Sequence, residues 1–569
     1  MTPSQAKMNS GEQPQLRPDY YVANFHTLAG FVSDTYSDLL NPAEKLWYQA
    51  VVSTTNRAQR LYIRLLMRKG STFRLRRLNY AEIDDTALAA TELVEAGLAL
   101  DCPNADLPTL MSCYTKPELV ALLDLSPQKG LSRADLVDHI CTAPEPLQRQ
   151  YSETLLCANS WVTPLGHAHW MLMQLCFFGN LYQDSREFVL SELGTFRYEN
   201  YPLDKSARAF TSRAQIEAHW RYYECEALLD AVNKHDASAL MTFASDLPAA
   251  DLHDIHLLRR VDRLRNQIAR QLERLSCSDL AIELYQQSIS PPARERTVRI
   301  YLQQQRWDEA ASLAKAMSKK PLNEPERLTA DRLLAQCAKA RGQAFKKQAL
   351  YKPQTSRLIL RNTGERVEKQ ARGFYAVNGQ CFHTENTLVN GVFGLFIWDI
   401  LFTPLPGAFY NPFQSAPSDY KHPEFYTRRQ ALFEARFVQL DNKVQFGALV
   451  HQAFDAHHGK LNPLVRWRGL SQPLLSLGID RIPAGHWRAM FNRLVLDLRE
   501  HTTGLPDLVR FPDKGGYEFI EIKGPGDALQ THQRRWMRYF NEHGIPCRLV
   551  HVGYQKEGST PRHRDENTL

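Results

Sequence analysis

The chain has 569 residues, 43% hydrophobic and 23% charged, enough for several domains with cores of ordinary composition. Its formal net charge of +7 is mild for that length and implies an acidic partner only where positive residues cluster. Ten scattered cysteines, none in CxxC or zinc-finger spacing, exclude a Cys/His zinc module and read as reduced thiols of an intracellular protein.

Residues 1–18 are polar, lack an apolar signal core and are expected to form a disordered tail. Residues 19–150 read as a helical region. NPAEKLWYQAVV and TALAATELVEAGLAL carry helical periodicity. Between them, RAQRLYIRLLMRKGSTFRLRRLNY (57–80) holds eight Arg/Lys residues and no acid. Arg57, Arg60, Arg64 and Arg68 recur every three or four residues and so share one helix face. With Lys69, Arg74, Arg76 and Arg77 they form either a solvated face or a stripe that contacts phosphates.

Residues 107–141 predict two short helices and a tight turn. Thr115 and Glu118 make a capping-box pattern before the first, and Ser132 and Asp135 repeat it before the second. Gln128-Lys129-Gly130 form the turn. The segment resembles the SAP motif, a small DNA-binding helix–turn–helix module, which implies a DNA contact at Lys129; a plain helical hairpin is the alternative.

Residues 151–350 are expected to be an all-helical scaffold. LAIELYQQS and DEAASLAKAM echo each other about 30 residues apart, as in stacked helical pairs of tetratricopeptide type. The apolar stretch 387–409 is cut by Asn390, Asp399 and two prolines and reads as a core helix, not a membrane span. From 351 to about 556 strands and helices alternate, an α/β domain, and 557–569 are expected to be a disordered tail. The fold class is therefore multidomain: mostly α-helical, followed by α/β.

The stretch GLPDLVRFPDKGGYEFIEIKG (504–524) concentrates the chemistry. Asp513-Lys514-Gly515-Gly516 predicts a hairpin turn that lays Asp507 opposite Glu521 or Ile522. Glu521 and Lys523 alternate with Ile522 and project from one strand face. Two carboxylates and an amine on a sheet are costly to bury without a purpose, and a hard divalent cation supplies one. Such an ion polarises a phosphodiester and acidifies its water, while a lysine orients that water or stabilises developing negative charge. The following DALQTHQRRWMRYFNEHG predicts a helix capped by Asp527, burying Leu529, Trp536, Met537 and Phe540 and stopping at Gly544.

Pro506-Asp507 with Glu521-Ile522-Lys523 is the PD-(D/E)-x-K nuclease signature, and GLPDLV, EIKGPGD and Gln533-x-x-Trp536 resemble its VRR-NUC branch. YYVANF, RLYIRLLMRKG, HTENTLVNGVFGLFIWDILF and FYTRRQALFEARF resemble successive segments of the Fanconi-associated nuclease family. Together with the SAP-like and helical-repeat regions, the likeness covers nearly the whole chain in order. It implies a metal-dependent, structure-specific DNA repair nuclease that cuts near branch points, favours 5′ flaps, proceeds 5′→3′ and serves interstrand crosslink repair.

The resemblance also implies the site. Glu385, Asp507, Glu521 and the Ile522 carbonyl would bind one or two Mg²⁺ or Mn²⁺ ions, Lys523 would assist the attacking water, and Gln533 would hydrogen-bond nearby. Glu385 is expected on a helix of 385–402, on the face of Val389, Val392 and Phe396. Asp399 lies about 21 Å further along such a helix and is read as a structural contact. Arg357, Arg361 and Arg499 are expected near the substrate end. In animal members a basic pocket holds the 5′ phosphate. Arg499 matches one of its positions, but His532 replaces a lysine, which leaves a complete pocket unsupported. The ubiquitin-binding finger of animal members is not seen. A monomer of bacterial type, in the cytoplasm or nucleoid, is expected. The alternatives are a four-way-junction resolvase and a non-catalytic scaffold for branched DNA.

Overall fold

The computed structural model describes residues 17–103, 105–183, 188, 196–250, 254–344 and 351–555, with the backbone alone at 562–565. The first expected tail lies outside the described residues but for 17 and 18. Part of the second, Arg562–Asp565, is a strand rather than a disordered segment. The chain divides into two compact units, one of 1–196 with 203–220 and one of 197–202 with 221–569. Neither division falls at 150 or 350.

In the first unit the helices Tyr20–Thr35, Pro42–Ser53 and Asn56–Met67 close a core of Phe25, Val32, Val51, Leu61 and Leu65. Asn41 and Glu44 cap the second helix reciprocally, and the Thr55 hydroxyl caps the third. Strands β1 (Phe73–Arg74), β2 (Ala99–Leu100) and β3 (Trp161–Pro164) form a small antiparallel sheet in the order β1-β3-β2. Thus a segment beyond residue 150 completes this unit. The SAP-like stretch has the expected helices, Lys116–Leu122 and Arg133–Cys141, with both capping boxes. Helices Leu107–Ser112 and Glu145–Cys157 flank them around Leu110, Leu119, Leu136, Ile140 and Leu155.

In the second unit the helices Ile255–Arg274, Ser278–Gln286, Ala293–Gln303, Trp307–Lys319 and Glu324–Ala340 pack each against the next. Ala281, Ala293, Ala310, Ala314 and Ala330 are buried, and such small residues permit close stacking in a helical repeat. Ser276 and Gln305, 29 positions apart, both take a left-handed backbone (φ 62° and 61°) just before the two echoing helices.

The larger sheet comprises β4 (Thr355–Leu360), β5 (Gly379–His383), β6 (Leu508–Pro512), β7 (Glu518–Lys523), β8 (Cys547–Tyr554) and β9 (Arg562–Asp565), ordered β5-β6-β7-β8-β4-β9. β5, β6 and β7 are antiparallel neighbours; β7, β8 and β4 run parallel. One face packs Leu508, Ile520, Ile522, Val550 and Leu358 against the helix Val367–Tyr375. On the other, Phe519 stacks on Phe540 of the helix Thr531–Glu542. Between β5 and β6 a helical insertion surrounds the buried helix Leu388–Phe396. The single helix expected over 385–402 is two, since the chain breaks at Ile397 before Trp398–Leu401. No helix among the described residues is long and apolar enough to cross a membrane.

Candidate active site

The hairpin pairs Leu508 with Ile520, Val509 with Phe519 and Arg510 with Glu518. Continued by one residue, that register sets Asp507 opposite Glu521, the first of the two expected pairings. Asp507 is fixed twice. Its carbonyl accepts the Thr384 N–H at 2.8 Å, and its Oδ2 accepts the Ile522 N–H at 2.8 Å.

Glu521 is 0% exposed. Its Oε1 accepts from Lys523 Nζ at 2.7 Å, and its Oε2 is buried without a hydrogen-bond partner. Burial, and then the Asp507 charge, push its pKa up to about 8 against the pull of Lys523. Burial likewise raises Asp507. Glu385 and Glu368 add negative charge around Asp507. One lysine cannot balance this set, and an orphaned carboxylate oxygen asks for a cation. The donors are all oxygens, the chemistry that hard divalent ions prefer, so the residues fit such an ion.

Glu385 departs from its expected setting. It is exposed in the turn between β5 and the helix Leu388–Phe396, not on an apolar helix face. Asn386 causes the difference. Its left-handed backbone (φ 55°) breaks the helix, and its Oδ1 accepts the Leu505 N–H at 3.1 Å, which ties this turn to the Pro506-Asp507 segment. The turn still delivers Glu385 to the site: ligand atoms of His383, Glu385 and Asp507 lie within 4.8 Å of one another. Sequence reasoning missed His383 and Glu368. The His383-Thr384-Glu385 spacing was a signal for the first. Asp399 pairs with Arg436 at 2.5 Å, in keeping with a structural role.

The next helix begins at Thr531 and is capped by Gln530, not Asp527. Asp527 Oδ2 accepts the Gly524 N–H at 3.0 Å and closes the GPGD turn instead. Gln533 Oε1 accepts the Gln530 N–H at 3.0 Å, so its carbonyl serves the cap. Trp536, Met537 and Phe540 are buried as expected, Leu529 only in part, and Gly544 ends the helix. Gly504 packs against the start of this helix at φ 86°. A Cβ there would meet His532 Cδ2 at 2.4 Å and its backbone carbon at 2.9 Å.

Arg499 is exposed on the short helix Leu498–His501. Arg357 and Arg361 are not brought to the carboxylates: β4 lies two strands beyond β7. Arg357 is in register with His551, which is in register with Lys523, so a basic row crosses the parallel strands. Lys129 is exposed in its turn.

Within the first unit the arginine stripe meets acids from distant sequence. Arg57 pairs with Glu92 (2.5 Å), Arg60 with Asp19 (2.9 Å) and Arg64 with Glu82 (2.6 Å). Arg68 donates to Tyr80 Oη at 2.8 Å. Arg74 is buried and bidentate to Glu118 at 3.0 Å, and Arg76 and Arg77 reach the same carboxylate. Arg57, Arg60, Arg64 and Arg74 thus make internal pairs, and Arg76 and Arg77 are the more exposed of the set. Lys69 is exposed with no ionic partner among the described residues.

Two family models match the chain, "FAN1, HTH domain" over residues 19–100 and "VRR-NUC domain" over 442–553. A Fanconi-associated nuclease 1 homolog of Pseudomonas aeruginosa is 33% identical over 556 residues, covering 96% of this chain and 97% of that one. A homolog from Arabidopsis thaliana is 24% identical, covering 94% and 67%. The crystal structure of paFAN1 bound to 2-nucleotide 5′-flap DNA with a gap superposes with a TM-score of 0.81 at 32% identity, over 96% of this chain and 100% of that one.

Proposed function

This chain belongs to the Fanconi-associated nuclease family, and from that premise we propose a metal-dependent, structure-specific DNA nuclease that cuts near branch points and prefers 5′ flaps. It proceeds 5′→3′ and serves interstrand crosslink repair inside the cell. The observation that carries this reading is the buried Asp507–Glu521–Lys523 cluster with its orphaned carboxylate oxygen. The similar paFAN1 structures hold 5′-flap DNA with one- and two-nucleotide flaps, which supports the same substrate here.

Glu385, Asp507, Glu521 and the Ile522 carbonyl would hold a divalent ion, Mg²⁺ or Mn²⁺, and such an ion would supply Lewis-acid polarisation of a phosphodiester and a more acidic water. Asp507, fixed through the Ile522 N–H, keeps the carboxylates facing one another before substrate arrives. Lys523, paired with Glu521, presents positive charge where the phosphate becomes more negative. Gln533 steadies the start of the helix beside Gly504 and acts on the site through that position. Lys69, Arg68, Arg76, Arg77 and Lys129 supply phosphate contacts that position the duplex, and Arg357, Arg361 and Arg499 do so on the nuclease unit.

The test uses end-labelled 5′-flap, 3′-flap, four-way-junction and duplex DNA with Mg²⁺, Mn²⁺ or EDTA, beside Asp507→Asn. Metal-dependent cuts near the 5′-flap junction, lost in the variant, support the reading. Symmetric cutting of the four-way junction alone, or cutting that survives in Asp507→Asn, overturns it.

A further inference from the structure

His383 ends β5, paired across the sheet with Leu508, and the next N–H, of Thr384, donates to the Asp507 carbonyl. Backbone bonds therefore hold His383 beside Asp507. The His383 ring is exposed and makes no hydrogen bond among the described residues. The Glu385 carboxylate receives one long contact, from Asn386 Nδ2 at 3.5 Å. Asp507 commits Oδ2 to the Ile522 N–H, and its Oδ1 has no hydrogen bond among the described residues. One ligand atom of each of these residues lies within 4.8 Å of the other two. Two ligands on one small divalent ion are at most about 4.2 Å apart. Side-chain movements of under about an ångström close the set, and both exposed residues are free to make them.

We propose that His383 is a direct nitrogen ligand of a divalent cation shared with Glu385 and Asp507, and that it tilts this site from Mg²⁺ toward Mn²⁺. The proposal rests on the reading of Asp507 as a metal ligand. Its basis is donor chemistry: Mg²⁺ keeps to oxygen ligands and water, whereas an imidazole nitrogen suits transition-metal ions. The all-oxygen set at Glu521 gives no such preference. The Glu385 charge acts on both Asp507 and Glu521.

The experiment titrates the full chain with Mn²⁺ alone, reads bound ion by electron paramagnetic resonance, and looks for ¹⁴N coupling by electron spin-echo modulation. In the wild type, bound Mn²⁺ should show imidazole nitrogen coupling. His383→Gln should lose that coupling and bind Mn²⁺ about tenfold more weakly, with Mg²⁺ binding by competition nearly unchanged. His532→Gln should keep the coupling. Coupling that persists in His383→Gln, or that is absent in a wild type whose Mn²⁺ is lost on Asp507→Asn, overturns the role of His383 and leaves the metal site standing. A wild type whose Mn²⁺ binding is insensitive to Asp507→Asn overturns both.

Discussion

Lys523 Nζ lies 2.7 Å from Glu521 Oε1, two residues along one strand face, and both side chains are buried. The pair is not self-sufficient, because Asp507 faces the same space and Glu521 Oε2 has no partner. The site is built with an excess of negative charge, and its stability should depend on pH when no cation is present.

The sign follows from Glu521. Its pKa is raised from about 4.5 in the unfolded chain to about 8 in the fold, by burial and by Asp507. The folded state therefore holds an extra proton between those values. Its stability contribution is fully present below the lower value and lost as pH rises through the higher. In EDTA the wild type should lose thermal stability from about pH 5 to about pH 8. Glu521→Gln should flatten that fall and be the more stable protein at the upper end. Added Mn²⁺ should restore the wild type there and raise the variant less, since the variant keeps His383, Glu385 and Asp507 but lacks the Glu521 charge. Equal pH slopes in the two proteins, by differential scanning fluorimetry, would count against a proton-retaining carboxyl at this position.

What could be read from the sequence follows the range of the forces involved. The hairpin and both capping boxes of the SAP-like stretch rest on pairings close in sequence, the repeat echo on a recurring residue pattern, and the structure contains all three. The Glu385 turn was hidden because Leu388, Val392 and Phe396 extend a helical pattern that Asn386 breaks with a backbone only the fold requires. Asp527 looked like a cap because it follows Gly-Pro-Gly, but it closes that turn on itself, and Gln530 takes the cap. The acids that neutralise the arginine stripe come from 18 to 44 positions away, beyond any local pattern. His383 stands alone at a strand end, and only the long-range pairing of that strand with β6 sets it beside Asp507.

Those internal pairs separate two kinds of cation in the first unit. Arg57→Ala breaks the contact with Glu92, whose carboxylate also accepts from the Thr55 hydroxyl at the helix start. It should lower thermal stability slightly and leave the salt dependence of DNA binding unchanged. Lys69→Ala should leave stability alone and reduce the slope of log affinity against log salt by about one. Fluorescence anisotropy with flap DNA from about 50 to 200 mM salt measures both. A reduced slope for Arg57→Ala would show that the pair opens onto phosphate.

Gly504 tests how the Pro506-Asp507 segment is seated. An alanine there meets His532 at 2.4 Å and adopts a positive φ, so either the segment or the helix start must shift. Displacement of reacting groups by about an ångström costs on the order of a hundredfold in rate. Gly504→Ala should lose about that much cleavage while keeping most of its affinity for flap DNA. Cleavage within a few-fold of wild type would mean that the loop relaxes without moving Asp507.

Glu324 opens the last repeat helix, Glu324–Ala340, and its Oε2 accepts from Arg493 Nη2 at 3.0 Å and lies 3.1 Å from His501 Nε2 and 3.5 Å from Arg535. The helical repeats are thereby joined to the nuclease. Burial alone would raise the Glu324 carboxyl, but the His501 hydrogen bond and the Arg493 and Arg535 charges outweigh it and hold the pKa at about 2. Its contribution is present above the unfolded value of about 4.5 and is lost as pH falls through 2. Arg493 stacks 4.9 Å from the Trp536 ring centroid, and Trp536 Nε1 donates to the His501 and Thr503 carbonyls, directly before Gly504. Glu324→Gln leaves the buried Arg493 guanidinium without a counter-charge, while Arg535 keeps Glu500 at 3.3 Å. It should cost about 2–4 kcal/mol at neutral pH, with the loss shrinking below about pH 4. Because the disturbed residues seat the Asp507 segment, kcat should fall several-fold with KM for flap DNA little changed. Urea denaturation across pH together with steady-state cleavage reads both effects. A variant as stable as wild type at neutral pH would show that the arginines find water or another acceptor, and that this contact does not set the position of the site.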